Sequence, residues 1–481
     1  MNHPLHAKPL CHAEDLGEPI PDSPHAVSVC LPSWADVIGY EEKEPRVITR
    51  MQTGYPRFFF HPLVEKVRTR LREDHGTEGS DLLPFPDEEA ARECAAFTGK
   101  GARGIHGGGG LWASVFPRES FPRAFSYWQH AGRILSSRAA GDWLRDGKLR
   151  AADSLLETKI KERLSGWSGA PADMVSLHPS GMAAIFAAFQ AVTVRRPGQR
   201  TVMFGFPYTD TLKILEKFGS GVEFFPRGDA DDLDALADLL RNEPVAAVFC
   251  EFPSNPKLVV PDLPSIHAAA SAAGVPVVVD DTIGTFFNVD VLPYADLVAT
   301  SLTKAVSGEG DVMAGCLTAN PRGLFGSGVP AAGGGGIYEA DLSVLETNSR
   351  DFPGRMKAGN EAALELARFL AAHPAVEKVC YPGLGTSPVY EALRKPDGGY
   401  GGLLSFIPRD AATNSPRIYE KIALNRGISL GTSYTLVCPY VQLAHYRELD
   451  WARRCGIDPF LLRVAVGTEP DLIARFAAAL E

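Results

Sequence analysis

The 481-residue chain has no long basic run, no cysteine pair at C-x-x-C spacing and no apolar stretch of membrane-spanning length. Each absence removes a class of function. With a formal net charge of −10 and no basic run, the chain is ill-suited to nucleic acid or an anionic membrane. A membrane helix needs roughly 18–20 apolar residues, and no segment approaches that. The eight cysteines are scattered, as expected of reduced thiols in an intracellular, cytoplasmic protein, and they lack the ligand spacing of a zinc site, so no metal is expected. The opening "MNHPLHAKPLCHAEDLGEPIPDSPHAV" is polar and proline-rich with no apolar h-region, so no secretory signal is expected there. No repeats occur.

What is present is a large, well-mixed composition. Hydrophobic residues make up 45% and charged residues 22%, enough for a sizeable core. The length predicts two or three domains. Residues 1–62 read as an arm, with prolines at 19, 21, 24, 32, 45 and 56 breaking helical periodicity. Residues 63–73 carry Leu63, Val64, Val67 and Leu71 at helix spacing. Residues 74–155 are mixed and read as an insert. From about residue 174, apolar strand candidates ("TVMFGF", "AAVFCEF", "VPVVVD", "DLVATSL") alternate with amphipathic helices. This pattern predicts an α/β fold with a mainly parallel sheet, and ligands in such sheets sit at the carboxyl ends of the strands. "AAGGGG" (331–336) reads as a joint between a large domain, 63–330, and a smaller C-terminal α+β domain, 331–481. In the latter a helix is expected over 360–374, strands at 400–408 and 461–467, and a final helix over 471–480.

Two motifs are decoys. Gly99-Lys100-Gly101-Ala102-Arg103-Gly104 matches G-x-G-x-x-G, but the segment before it is helical and the "IHGGGG" after it cannot start a helix, so the strand–turn–helix setting is missing. His106 with Gly107–Gly110 resembles an esterase oxyanion loop, but no G-x-S-x-G nucleophile elbow accompanies it.

Three features meet at predicted strand ends. Asp280 ends "VPVVVD", Lys304 follows "DLVATSL", and Ser180-Gly181-Met182 opens an apolar helix whose backbone N–H groups can face an anion. Alone, each is ordinary: a turn aspartate, a solvated lysine, a helix cap. Together they fit pyridoxal 5'-phosphate, which needs a lysine amine for its aldehyde, a carboxylate for its ring nitrogen and an anion cradle.

The surrounding motifs carry a resemblance. "SLTKAVSGEGDVMAG", "HPSGMAAI", "EFPSNP", "VVVDDT", "ISLGTSYTL" and "LLRVAVG" are spread in order over about residues 160–481. They resemble the Cys/Met-metabolism family of pyridoxal-phosphate enzymes, and the arm resembles its fungal cystathionine γ-synthase subgroup. The resemblance implies the aspartate-aminotransferase-like fold type I. It implies that Lys304 holds the cofactor and shuttles protons, that Asp280 pairs with the ring nitrogen, that Tyr208 stacks on the ring and that Asn255 lies beside the ring hydroxyl. Gly181, Met182, Ser301 and Thr303 would bind the phosphate. Tyr55 and Arg57 match a Y-x-R pair reaching a neighbouring subunit's phosphate, which implies a homo-oligomer, dimer or tetramer. Arg463 would bind the substrate α-carboxylate with Ser429 beside it. The implied reaction is γ-replacement on an O-activated homoserine, O-acetyl-L-homoserine, through a vinylglycine-type intermediate with cysteine as nucleophile. The alternatives are a carbon nucleophile such as a β-keto acid, or γ-elimination.

The chain departs from the pattern at four places, one being the stretch of about 95 residues between the Y-x-R arm and "KIKERLSGWSGAP" (159–171), where shorter relatives have a brief connection. Tyr208-Thr209-Asp210-Thr211 replaces Y-G-G-T, Asp281 replaces an asparagine, and Tyr434 stands where many relatives carry a glutamate that helps recognise a distal amine.

Overall fold

The computed structural model describes residues 3–76, 79–151, 153–328, 336–385 and 387–481. The central sheet has seven strands: β1 (Val175–His178), β2 (Arg200–Phe204), β3 (Val222–Phe225), β4 (Val245–Glu251), β5 (Val277–Asp280), β6 (Leu297–Thr300) and β7 (Gly315–Ala319). Their spatial order is β1-β7-β6-β5-β4-β2-β3. β6, β5, β4, β2 and β3 run parallel, whereas β7 is antiparallel to both β6 and β1. The central strands β4, β5 and β6 are apolar up to their carboxyl ends because both faces are covered. Val277 and Val279 pack with Val248 and Cys250 on one face. Val278 packs with Phe249 and Leu297 on the other. Only the carboxyl ends turn polar, where Asp280 pairs in register with Glu251.

Four helices matter for the site: α1 (Pro62–His75), α2 (Phe121–Ala131), α3 (Gly181–Arg195) and α4 (Thr209–Phe218). α3 is apolar on nearly every side and is buried along most of its length, as expected of a helix packed on a covered sheet. α1 forms where the apolar spacing predicts it, with Pro62 in its first turn and Gly76 in the left-handed conformation at its end. Residues 74–155 are more regular than their mixed composition suggests. A three-stranded antiparallel sheet (Ser80–Phe85, Leu111–Pro117 and Arg103–Gly108, with Leu111–Pro117 central) packs against α2 and the helix Glu88–Thr98. The G-x-G-x-x-G decoy is the turn from that helix into the Arg103 strand. Leu82, Phe85 and Phe116 share one hydrophobic core with Ile185 and Phe186 of α3, so this region is fastened to the central sheet.

The C-terminal region carries a four-stranded antiparallel sheet in the order Val376–Cys380, Leu403–Pro408, Leu462–Ala465, Leu436–Cys438. The helix expected over 360–374 begins earlier, at Phe352, and ends at Ala372, because Pro353 occupies its first turn rather than breaking it. The predicted joint 331–336 lies outside the described residues, apart from Gly336.

The arm lies on its own chain. Leu31, Val37, Tyr40 and Val47 share a core with Phe406, Tyr419 and Leu462 of the C-terminal sheet region. A helix, Trp34–Glu42, forms despite the surrounding prolines, capped reciprocally by Ser33 and Asp36.

Candidate active site

The carboxyl ends of β4, β5 and β6 open into a cavity of about 940 Å³. Lys304 lies just past β6, in a turn, and its Nζ donates to Ser429 Oγ at 3.0 Å. The same amine lies 4.5 Å from the centre of the Tyr55 ring. Burial pushes the Lys304 ammonium down; Tyr55 opposes this and the Arg463 guanidinium adds to it. Burial alone would raise the Tyr55 phenol, but the charges of Lys304 and Arg57 outweigh it and lower it.

Asp280 and Glu251 stand side by side in this cavity. Burial raises both carboxyls, and for Glu251 the neighbouring Asp280 adds to the rise. The amide of Thr282 donates to Asp280 Oδ1 at 2.9 Å. Glu251 accepts from the amides of Tyr208, at 2.6 Å, and Asn255, at 3.0 Å, so it fixes the backbone of both. Two buried carboxyls beside each other call for a cation. A protonated pyridine N–H would supply one, with Asp280 at the end of β5 as its expected partner.

The start of α3 is shaped for close approach. Ser180 caps it, its Oγ accepting from the Ala183 amide at 3.1 Å and donating to the Gly132 carbonyl at 2.8 Å. A Cβ on Gly181 would come within 2.6 Å of Ser301 Cβ, so only glycine lets the helix start meet the turn after β6. Gly181, Met182 and Ser301 line the cavity. Unpaired amides at a helix start favour a phosphate.

Arg463 is buried under the C-terminal side. Its Nη2 donates to the carbonyls of Ile428 and Ser429 at 3.0 and 3.1 Å, and its Nη1 reaches Asn255 Oδ1 at 3.4 Å. Its Nε is buried and has no hydrogen-bond partner. The Arg57 Nε is likewise buried and unpaired. Orphaned guanidinium donors, the cavity and the paired carboxyls fit pyridoxal phosphate with an amino-acid substrate.

The structure thus brings Lys304, Tyr208, Asp280, Gly181, Met182, Ser301, Asn255, Tyr55, Arg57 and Arg463 to one cavity, with Ser429 bonded to the lysine. Thr303 is placed differently. It is buried, its hydroxyl donating to the Ala314 carbonyl at 3.1 Å and accepting from the Ala314 amide at 2.8 Å, so it braces the lysine turn rather than facing the cavity. Tyr434 is also buried away from the cavity, its hydroxyl donating to the Glu309 carbonyl at 3.1 Å. Sequence reasoning missed Glu251 as a brace. It also missed Asp210 and Gln129, which bind Arg57, and His130, which binds Asp210. For Asp210 the signal was its departure from Y-G-G-T; Gln129 and His130 gave none.

The described residues contain no helix long and apolar enough to cross a membrane and no cluster able to hold a metal ion. Residues 153–481 match the family described as Cys/Met metabolism PLP-dependent enzyme, and residues 63–136 match the fungal trans-sulfuration enzyme N-terminal domain. The chain is 34% identical to a cystathionine γ-synthase of Neurospora crassa, over 97% of this chain and 98% of that one. It is also 34% identical to an L-2-amino-4-chloropent-4-enoate dechlorinase/desaturase of Streptantibioticus cattleyicolor, over 95% of this chain and 96% of that one. Its fold matches a cystathionine γ-lyase from Lactobacillus plantarum, solved with L-serine, at TM-score 0.60 and 21% identity, over 67% of this chain and 85% of that one. The lysine, carboxylates and anion cradle therefore have a common explanation: the chain is a fold type I enzyme of the pyridoxal-phosphate-dependent Cys/Met metabolism family.

Proposed function

We propose that the protein catalyses γ-replacement on O-acetyl-L-homoserine, with cysteine as nucleophile, giving cystathionine and acetate. The observation that carries this reading is the placement of Lys304 Nζ on Ser429, whose carbonyl in turn holds Arg463. A proton carrier and a carboxylate grip then sit in one fixed unit.

Arg463 would hold the α-carboxylate in paired hydrogen bonds. The bound cofactor supplies an electron sink for the charge left at Cα. Lys304 Nζ, its proton affinity lowered, removes the proton from Cα and then one from Cβ. Loss of the Cβ proton expels acetate from Cγ. The cysteine thiolate adds at Cγ, and Lys304 returns protons to Cβ and Cα. At the outer wall of the cavity, Glu41 lies near Lys43 and Arg447. Burial raises the Glu41 carboxyl to about 7, with Lys43 and Arg447 pulling against it. One anion and two cations there suit an amino-acid zwitterion, which supports cysteine as acceptor. The free, buried state of all eight cysteines supports a reducing, cytoplasmic setting.

A second reading rests on Phe58, Phe121, Phe125 and Leu443, which make the cavity's remaining wall apolar. That wall favours a carbon nucleophile such as a β-keto acid. The relative from Streptantibioticus cattleyicolor favours γ-elimination. Holoenzyme given O-acetyl-L-homoserine with cysteine, sulfide, acetoacetate or no acceptor decides between them by product mass. Cystathionine as the main product supports the proposal, and a carbon-linked product or a 2-oxo acid overturns it.

A further inference from the structure

The helix Trp34–Glu42 packs against the short helix Tyr440–Ala444, and together they form the outer wall of the cavity. The wall is fixed at both ends of the arm helix. The Trp34 amide donates to Glu420 Oε1 at 2.8 Å, and the Tyr446 hydroxyl donates to Glu42 Oε1 at 2.5 Å. Lys43 ends the helix in the left-handed conformation, at φ 61°. Its Nζ lies 4.5 Å from the centre of the Tyr40 ring, a cation–π contact that holds the ammonium at the wall.

Most charges on this stretch are used within the chain. Arg46 donates to Asp36 and to Glu44, each at 2.6 Å, and Glu42 has Tyr446. The three charged residues of the outer wall are different. Among the described residues, Glu41, Lys43 and Arg447 have no ion-pair partner and no side-chain hydrogen bond. Glu41 is half-buried, and Lys43 and Arg447 lie at the exposed rim. The inner charges Lys304, Asp280, Glu251 and Arg463 each have a hydrogen-bond partner. A half-buried carboxylate without a hydrogen bond is costly, and a bound ammonium relieves that cost. A β-keto acid carries no ammonium and would leave Glu41 as it is. Sulfide would use none of the three residues. An α-amino acid uses both signs of charge.

We propose that this wall selects the acceptor: Glu41 receives the ammonium of an α-amino-acid thiol, and Arg447, with Lys43 nearby, receives its carboxylate. A guanidinium suits that role because it offers a carboxylate two parallel N–H groups. The inference deepens the cysteine reading and rests on it. The donor's carboxylate belongs to Arg463, so the two amino-acid halves of the product are gripped by separate sets of charges.

The test removes charges from the acceptor and from the protein in turn. Holoenzyme with saturating O-acetyl-L-homoserine is assayed with four acceptors. These are cysteine, 3-mercaptopropionate (no ammonium), cysteamine (no carboxylate) and sulfide (neither). Wild type must first give cystathionine from cysteine; if it does not, the cysteine reading fails and this inference fails with it. Glu41→Gln should lower kcat/KM about tenfold for cysteine and cysteamine, the worth of one charge-assisted hydrogen bond, and leave 3-mercaptopropionate within about twofold. Arg447→Ala should lower it about fivefold for cysteine and 3-mercaptopropionate and leave cysteamine within about twofold, a smaller effect because the contact lies at an exposed rim. Sulfide turnover and the KM for the donor should change by less than about twofold in both variants, as expected of residues that touch only the acceptor.

Two results overturn the inference while leaving the cysteine reading intact. One is cystathionine formation by both variants with the wild-type ranking of the four acceptors. The other is an equal loss for all four acceptors, which would mean that the wall merely supports the fold.

Discussion

The Lys304 amine reaches across from the central sheet to donate to Ser429 Oγ, 3.0 Å away in the C-terminal region. The bond gives the lysine a fixed resting position, and Ser429 is in turn held through its carbonyl by Arg463. Ser429→Ala removes the acceptor but not the amine. It should retain cofactor while kcat falls about tenfold, the worth of one hydrogen bond to a charged group. Steady-state kinetics beside a visible-absorbance measurement of bound cofactor checks this.

Arg463→Lys keeps the charge but loses the fork that holds the two backbone carbonyls and would grip a substrate carboxylate. The KM for the amino-acid donor should rise about 10- to 100-fold, in keeping with the loss of paired charged hydrogen bonds. Cofactor retention should change little. A KM unchanged within twofold would remove Arg463 from the substrate site.

Gly181→Ala forces a Cβ against Ser301 Cβ, 2.6 Å away, where neither α3 nor the lysine turn can give way cheaply. Stability should fall by about 1–3 kcal/mol, as for overpacking in a tight interior, and cofactor retention should fall with it. Thermal melts with and without pyridoxal phosphate report both.

Asp281 is buried, its Oδ1 accepting from Thr300 and its Oδ2 without a partner. Burial lifts its carboxyl to about 7, so the folded chain keeps a proton there that the unfolded chain gives up near pH 4. The associated stability is complete below about pH 4 and is lost as pH rises towards 7. Asp281→Asn removes this dependence and should be more stable than wild type at pH 8 by a few kcal/mol at most. Denaturant melts at pH 5 and pH 8 measure the difference, and equal gaps between the proteins at both pH values would contradict it.

The chemistry at strand ends was legible because a polar residue closing an apolar run has few alternatives. Asp280 after three valines and Lys304 after "DLVATSL" are such cases. The parallel centre of the sheet was legible for the same reason, as strand–helix alternation admits few topologies. The Thr303 hydroxyl was not, since a threonine beside a phosphate-binding turn can face the ligand or brace the backbone, and here Ala314 claims it on both sides. The folding of the arm was hidden because Leu31, Val37 and Tyr40 find their core near Phe406 and Leu462, over 360 residues away. Arg57 and Asp210 lie 153 residues apart and meet only in the folded chain. No local pattern encodes such a meeting.

The central claim is that Lys304 moves protons at both Cα and Cβ while the γ-substituent is exchanged. The most direct measurement is the mass and NMR spectrum of the product formed from O-acetyl-L-homoserine and cysteine in D₂O, for wild type and Lys304→Ala. The account predicts cystathionine carrying deuterium at Cα and Cβ from wild type, and no product from Lys304→Ala. Product free of deuterium at both carbons, or turnover that survives the loss of Lys304, would contradict it.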